Sequence, residues 1–101
     1  MAAEITQIDY YYGNTCSHCA EIKPFLDAVE KSNPQIRFNR IEVFANRDNA
    51  AAMLKVFDQY GVPRDDRGVP AILINNKFLI GSDMITTALE KEILMLKNEK
   101  S

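Results

Sequence analysis

Ile8-Asp9-Tyr10-Tyr11-Tyr12-Gly13-Asn14-Thr15-Cys16-Ser17-His18-Cys19-Ala20-Glu21-Ile22 is the stretch that decides the fold. The segment from Ile5 to Tyr12 is apolar and aromatic with strand character, and Gly13-Asn14-Thr15 breaks it. Beyond the break, Ile22, Phe25, Leu26 and Val29 trace one face of a helix until Ser32-Asn33-Pro34 stops it. The order is therefore strand, turn, helix, with Cys16 at the helix N-terminus. Unpaired backbone N–H groups and the positive end of the helix dipole favour a thiolate there over a thiol. Cysteines so placed titrate at roughly 3.5 to 7.5. Cys19 lies one turn further along the same side, within reach of Cys16 but shielded from solvent. Cys16 is thus the expected attacking thiol and Cys19 the resolving one. His18, the only histidine, is by itself a solvated residue of a first helical turn. Between two thiols its imidazole stabilises the Cys16 thiolate and moves the pair toward the oxidising end of the scale.

The chain has two cysteines, both in this tetrapeptide. A bridge over two intervening residues constrains the unfolded chain very little, so a structural staple is a poor reading. Structural zinc takes four Cys or His ligands, and this sequence offers two Cys and one His, so no metal site is expected. An ordinary pair of small buried cysteines is the plain alternative.

Composition agrees with one compact domain over residues 1–101, large enough to bury a core without a disulfide scaffold. Twelve Lys plus Arg against fourteen Asp plus Glu, without a basic stripe, argue against nucleic-acid binding. Apolar runs such as Ala71-Ile72-Leu73-Ile74 are far shorter than the ~20 residues that cross a bilayer, so no membrane span is expected. Met1-Ala2-Ala3-Glu4-Ile5-Thr6 has neither the basic nor the apolar part of a signal peptide. The expectation is a cytoplasmic protein, or else an excised domain of an exported or membrane-attached one.

Further along, Gln35 to Phe44 reads as a second strand with a slip in its alternation near Asn39-Arg40. Asn46 or Asp48 caps a helix from Asn49 to Tyr60 whose stripe is Met53, Leu54, Phe57 and Tyr60, and Gly61 stops it. A charged loop through Gly68, with Pro63 as an ordinary loop proline, leads into a third strand ending at Ile74. Asn75-Asn76 turns it into Lys77-Phe78-Leu79-Ile80, an antiparallel hairpin. Ser82 or Asp83 caps a last helix carrying Ile85, Leu89, Ile93 and Leu96, and the tail from Lys97 is expected to fray. The fold class is α/β, in the order β-α-β-α-β-β-α. A parallel first pair is joined by a right-handed crossover, and a central mixed four-stranded sheet is flanked by three helices.

At this point the chain resembles the thioredoxin-fold superfamily over nearly its whole length. Three separated features carry the likeness: Cys16-Ser17-His18-Cys19 with Pro24 inside the following helix, Gly68-Val69-Pro70 running into an apolar strand, and Gly81-Ser82-Asp83 after the hairpin. The resemblance implies that Pro70 is cis and holds the Val69 backbone where an extended substrate pairs with it. It implies also that Ser82 and Asp83 open the last helix and help hold glutathione, as in the glutaredoxin branch. The His18 placement is similar to thiol-oxidising branches, although Ser17 stands where those carry proline. The basic residue that glutaredoxins often carry just before the motif is absent from Tyr12-Gly13-Asn14-Thr15. Asp9 lies near the place where some thioredoxins keep a buried carboxylate that accepts the resolving thiol's proton; strand parity equally allows a solvated edge. Tyr12 is close enough to the dithiol to contact a substrate.

The function expected is that of a thiol-disulfide oxidoreductase needing no cofactor beyond its own redox-active disulfide. Its partners would be protein thiols and disulfides or glutathione, with an upstream thiol reductase or oxidase, and it would act as a monomer. The alternatives are a soft-metal carrier for copper or zinc on the two thiolates, a glutathione-dependent glutaredoxin, and a redox-inactive domain docking peptides at the Val69-Pro70 edge.

Overall fold

A computed structural model of the chain describes residues 7–100. The readings of Ile5 and of the first six residues lie outside the described residues. The elements run β1 (Gln7–Tyr12), α1 (Ser17–Ser32), β2 (Arg37–Glu42), α2 (Arg47–Gln59), a 3-10 turn (Arg64–Asp66), β3 (Ala71–Ile74), β4 (Lys77–Ile80) and α3 (Ser82–Lys100). The sheet order is β2-β1-β3-β4, with β1 parallel to β2 and antiparallel to β3, and β3 antiparallel to β4. This is the expected mixed four-stranded sheet with three helices.

Side-chain alternation along β1 divides the core between two faces. Ile8 and Tyr10 pack with Ile22, Leu26 and Val29 of α1 and with Ile85, Leu89 and Ile93 of α3. On the other face Tyr11 and Ala71 meet Val43 and the α2 residues Met53 and Phe57. Phe57 is fully buried, and removing its ring would cost about 3–5 kcal/mol. The slip read near Asn39-Arg40 reflects this division. In β2, Phe38 stands beside Ile8 and belongs to the α1 face, whereas Ile41 stands beside Tyr11 and belongs to the α2 face. Arg40, between them, reaches across to α1 and donates to Asp27 at 3.0 Å and to Glu30 at 2.8 Å.

The ends of the elements follow local chemistry. α2 starts at Arg47, two residues earlier than expected, because Asn46 Oδ1 accepts the Asn49 N–H at 2.9 Å and caps it. It stops in a Schellman arrangement around Gly61, whose φ is +67°: the Gly61 N–H donates to the Asp58 carbonyl and the Val62 N–H to the Phe57 carbonyl. The β3–β4 turn has both Asn75 and Asn76 in the left-handed region, at φ 55° and 62°, as a type I′ hairpin requires. Asn75 Nδ2 also donates to the Glu92 carboxylate at 2.7 Å, and Lys77 Nζ sits 2.7 Å from the other carboxylate oxygen. These contacts clasp the hairpin to α3.

Two expectations for α3 are corrected. Neither Ser82 nor Asp83 caps it; Ser82 is already helical, and the Ile85 N–H donates to the carbonyl of Gly81, which stands at φ 97°. The tail from Lys97 continues the helix to Lys100, one more turn beyond the contact of Leu96 with the core.

Candidate active site

The C-terminal end of β1 delivers the chain to the site. After Tyr12, buried Gly13 lies directly beneath the Phe44 ring, so close that any Cβ would overlap it. The turn closes when the Cys16 N–H donates to the Gly13 carbonyl at 3.1 Å, and α1 begins at Ser17. Cys16 is the N-cap residue, at φ −83° and ψ 117°, and its Sγ accepts the Cys19 N–H at 3.1 Å. The two cysteines are joined as a disulfide. Cys19 is buried at 5% exposure and Cys16 is partly exposed, the asymmetry that an attacking and a resolving sulfur need. Pro24 lies inside α1 without ending it, on the exposed side.

The loop before β3 faces this pair from across the sheet. The Val69–Pro70 bond is cis, and the Val69 carbonyl oxygen lies 3.9 Å from Cys16 Sγ. The Pro70 carbonyl accepts the Gly81 N–H at 2.8 Å, which brings the start of α3 alongside. A groove of about 430 Å³ runs there, lined among others by His18, Val69, Pro70, Ser82 and Asp83. The structure thus brings six of the sequence-derived residues, Cys16, His18, Val69, Pro70, Ser82 and Asp83, to one place around the disulfide or its groove. His18 is well exposed, and its Nδ1 lies 3.2 Å from Glu21 Oε1.

Tyr12 is half-buried and stacks on Tyr10, with ring centroids 5.5 Å apart, on the α1 side of the sheet. Burial pushes the Tyr10 hydroxyl up to about 12, Arg40 pulling against that and Tyr12 adding to it. Asp9 is not brought to the dithiol. In β1 it alternates with Ile8 and Tyr10, so it faces away from α1, and it accepts instead from Gln7 Nε2 at 2.7 Å and Asn39 Nδ2 at 3.2 Å. The residue that β1 turns toward α1 at this level is Tyr10.

Two contributors escaped the sequence reading: Phe44, which covers Gly13, and Glu42, whose carboxylate accepts the Asn14 N–H at 2.9 Å. The available signal was a lone acid closing an otherwise mixed strand a few residues before a helix cap. Among the described residues no group of three or more His, Cys, Asp or Glu comes together to hold a metal ion, and no helix is long and apolar enough to cross a membrane.

Among solved structures the chain is similar to a buckwheat glutaredoxin in complex with glutathione, with a TM-score of 0.62 and 20% identity over 90% of this chain and 76% of that one. It is similar also to a malarial protein, with a TM-score of 0.54 and 15% identity over 88% of this chain and 98% of that one. No protein-family model matches the sequence, and no curated protein matches it. The chain has a thioredoxin fold, and its Cys16–Cys19 pair stands at the N-terminus of the first helix of that fold.

Proposed function

We propose that this protein is a thiol-disulfide oxidoreductase that works through Cys16 and Cys19. The observation that carries the reading is the asymmetric pair itself: an accessible sulfur at a helix N-cap, bonded to a buried one a turn away, with a backbone carbonyl beside it. In the reduced protein the Cys16 thiolate attacks one sulfur of a partner disulfide, forming a mixed disulfide and releasing the partner's other sulfur as a thiolate that takes up a proton. Cys19 then loses its proton and attacks Cys16 Sγ. The Cys16–Cys19 bond forms, the mixed disulfide breaks, and the partner leaves with two electrons and its second thiol. Run backwards, the same steps oxidise a partner dithiol.

Substrate binding in this reading falls to the groove. The Val69 backbone pairs with an extended segment held along Pro70, Tyr12 contributes an aromatic contact to the substrate, and Ser82 and Asp83 at the start of α3 meet a polar end. Protein disulfides and glutathione both present such a segment. The glutathione bound to the buckwheat glutaredoxin, together with the Ser82-Asp83 lining, supports glutathione as a partner. A separate thiol reductase or oxidase resets the pair, and the reading takes the protein as a monomer.

Equilibration of the purified protein in glutathione redox buffers tests the proposal. A two-electron transition confined to Cys16 and Cys19 is expected, and Cys19→Ala should accumulate mixed disulfides on Cys16. Retention of full exchange activity by Cys16→Ser would overturn it.

A further inference from the structure

Glu42 takes no part in the exchange steps above, yet its side chain is among the most thoroughly engaged in the molecule. Its Oε2 accepts the Asn14 N–H at 2.9 Å and the Phe44 N–H at 3.0 Å, and its Oε1 accepts the Ala45 N–H at 2.9 Å. Its backbone carbonyl accepts from Asn49 Nδ2 at 2.9 Å. One residue therefore ties the end of β2 to the start of α2 and to the loop that precedes Cys16. That loop has few other restraints. Asn14 and Thr15 are exposed and belong to neither strand nor helix, and the contacts that bracket them are the Cys16 N–H to Gly13 carbonyl bond and the Phe44 ring over Gly13. An ionised carboxylate receiving several backbone N–H groups makes charge-assisted bonds, roughly twice as strong as neutral ones.

We propose that Glu42 is a positioning residue for Cys16: by holding the Asn14 N–H it fixes the Gly13–Cys16 turn and so the direction in which the attacking sulfur leaves the helix N-terminus. The inference rests on the thiol-exchange reading. Attack on a disulfide is an in-line displacement among three sulfurs, and a misplacement of about 1 Å in such a reaction can cost a hundredfold in rate. Glu42 touches neither sulfur; it acts through the backbone two residues upstream. Its carboxyl is held below the ordinary carboxylate value: burial opposes this, and the N–H groups of Asn14, Ala45, Phe44 and Asn46 outweigh it.

The test is the pH profile of the reaction of the reduced protein with 5,5′-dithiobis(2-nitrobenzoate), followed through release of both thiolate equivalents. On the alkaline plateau Cys16 is fully ionised, so the plateau rate reads geometry rather than thiol acidity. Glu42→Ala is expected to lower it about tenfold. Glu42→Gln, which keeps one acceptor oxygen for Asn14 and Phe44, should fall between that and the wild type and supplies the measurement if the alanine variant is unfolded. Lys77→Ala loosens the hairpin clasp far from the loop and should leave the plateau unchanged while lowering Tm. A plateau within twofold of wild type in both Glu42 variants, or an equal loss in Lys77→Ala, overturns the positioning role. A wild type that reacts no faster than a free thiol and forms no Cys16–Cys19 bond overturns the exchange reading instead, and this inference with it.

Discussion

The backbone N–H of buried Cys19 donates to the Sγ of Cys16 at 3.1 Å, so one sulfur of the disulfide caps the helix that carries the other. Once the disulfide is reduced, an N–H held at that position is expected to favour a thiolate on Cys16, as an N-cap acceptor and as a negative charge matched to the helix dipole. Cys19 sits inside the first turn at 5% exposure, where a reagent in solution cannot reach its sulfur as it reaches that of Cys16. Iodoacetamide at pH 7 should therefore alkylate Cys16 and spare Cys19 in the reduced, folded protein. Thiolate absorbance near 240 nm should place the Cys16 titration below that of an ordinary thiol, because the helix N-terminus favours the thiolate. Equal labelling of both cysteines would remove the assigned asymmetry.

Glu92 is the buried carboxylate of the hairpin clasp, paired with Lys77 and Asn75. The Lys77 hydrogen bond, then that of Asn75, hold its pKa below the ordinary carboxylate value against the desolvation that opposes them. A group lowered in this way stabilises the fold at pH values above its unfolded pKa and loses that contribution as the pH falls through the folded one. Glu92→Gln should be less stable than the wild type by about 1.5–3 kcal/mol at pH 7. The difference should shrink on acidification below roughly pH 4, the ordinary carboxylate range. Urea denaturation of both proteins at pH 7 and pH 3 checks it.

Asn76 occupies the second central position of the hairpin turn at φ 62° and is exposed. Glycine adopts that conformation without the Cβ penalty, so Asn76→Gly should raise stability by up to about 1 kcal/mol. Asn75→Gly should not, because Asn75 Nδ2 holds both the Glu92 carboxylate and the Glu92 carbonyl. Thermal melts of the two variants separate turn geometry from the side-chain contact.

Periodicity carried most of this fold, because α1, α2 and α3 each bury a single stripe and β1 alternates between two buried faces. The pairing of Cys16 with the Val69-Pro70 loop was legible through the family likeness, since nothing local in either segment specifies the other. What stayed hidden depends on contacts across space. The Glu42 bond to Asn14 spans 28 positions and uses a backbone N–H that every residue but proline offers, so the acid that closes β2 is visible in the sequence while its partner is not. Asp9 could be assigned to a face only after Tyr10 was known to pack beneath α1. The start of α3 was misread at Ser82 because good capping residues follow Gly81, while the Pro70 carbonyl fixes Gly81 as the turning point.

Alkaline conditions should weaken the fold through β1. Burial, first of all, pushes Tyr10 up to about 12 and raises Tyr11 as well. Both hydroxyls bind their protons more tightly when folded, so their stabilisation is complete below about pH 10 and is lost as the pH rises through the folded values. The loss through Tyr10 approaches about 1.4 kcal/mol per pH unit across that window, and Tyr11 adds to it in the same direction. Tyr10→Phe should flatten the decline between pH 10 and 12, measured by denaturant midpoints. An unchanged slope would show that Tyr10 is not a source of the alkaline loss.

His18 rides on the exposed side of the first turn of α1, lining the groove beside the disulfide, with Glu21 3.2 Å from its Nδ1. An imidazole at this position favours the Cys16 thiolate and with it the reduced pair, making the disulfide a better oxidant. Glu21 works against this, since its carboxylate offsets positive charge on the ring and adds a negative one near the thiolate. His18→Leu should therefore make the pair more reducing, by about 30 mV, a tenfold change in the exchange equilibrium. Glu21→Gln should move the potential the other way. Because both side chains are well exposed, the two shifts should diminish at high salt, where surface charges are screened within a few ångströms. Glutathione-buffer titrations of the three proteins at low and high ionic strength give the potentials directly. A His18→Leu value equal to that of the wild type would assign the imidazole to solvent and leave the N-cap geometry of Cys16 as the source of the pair's potential.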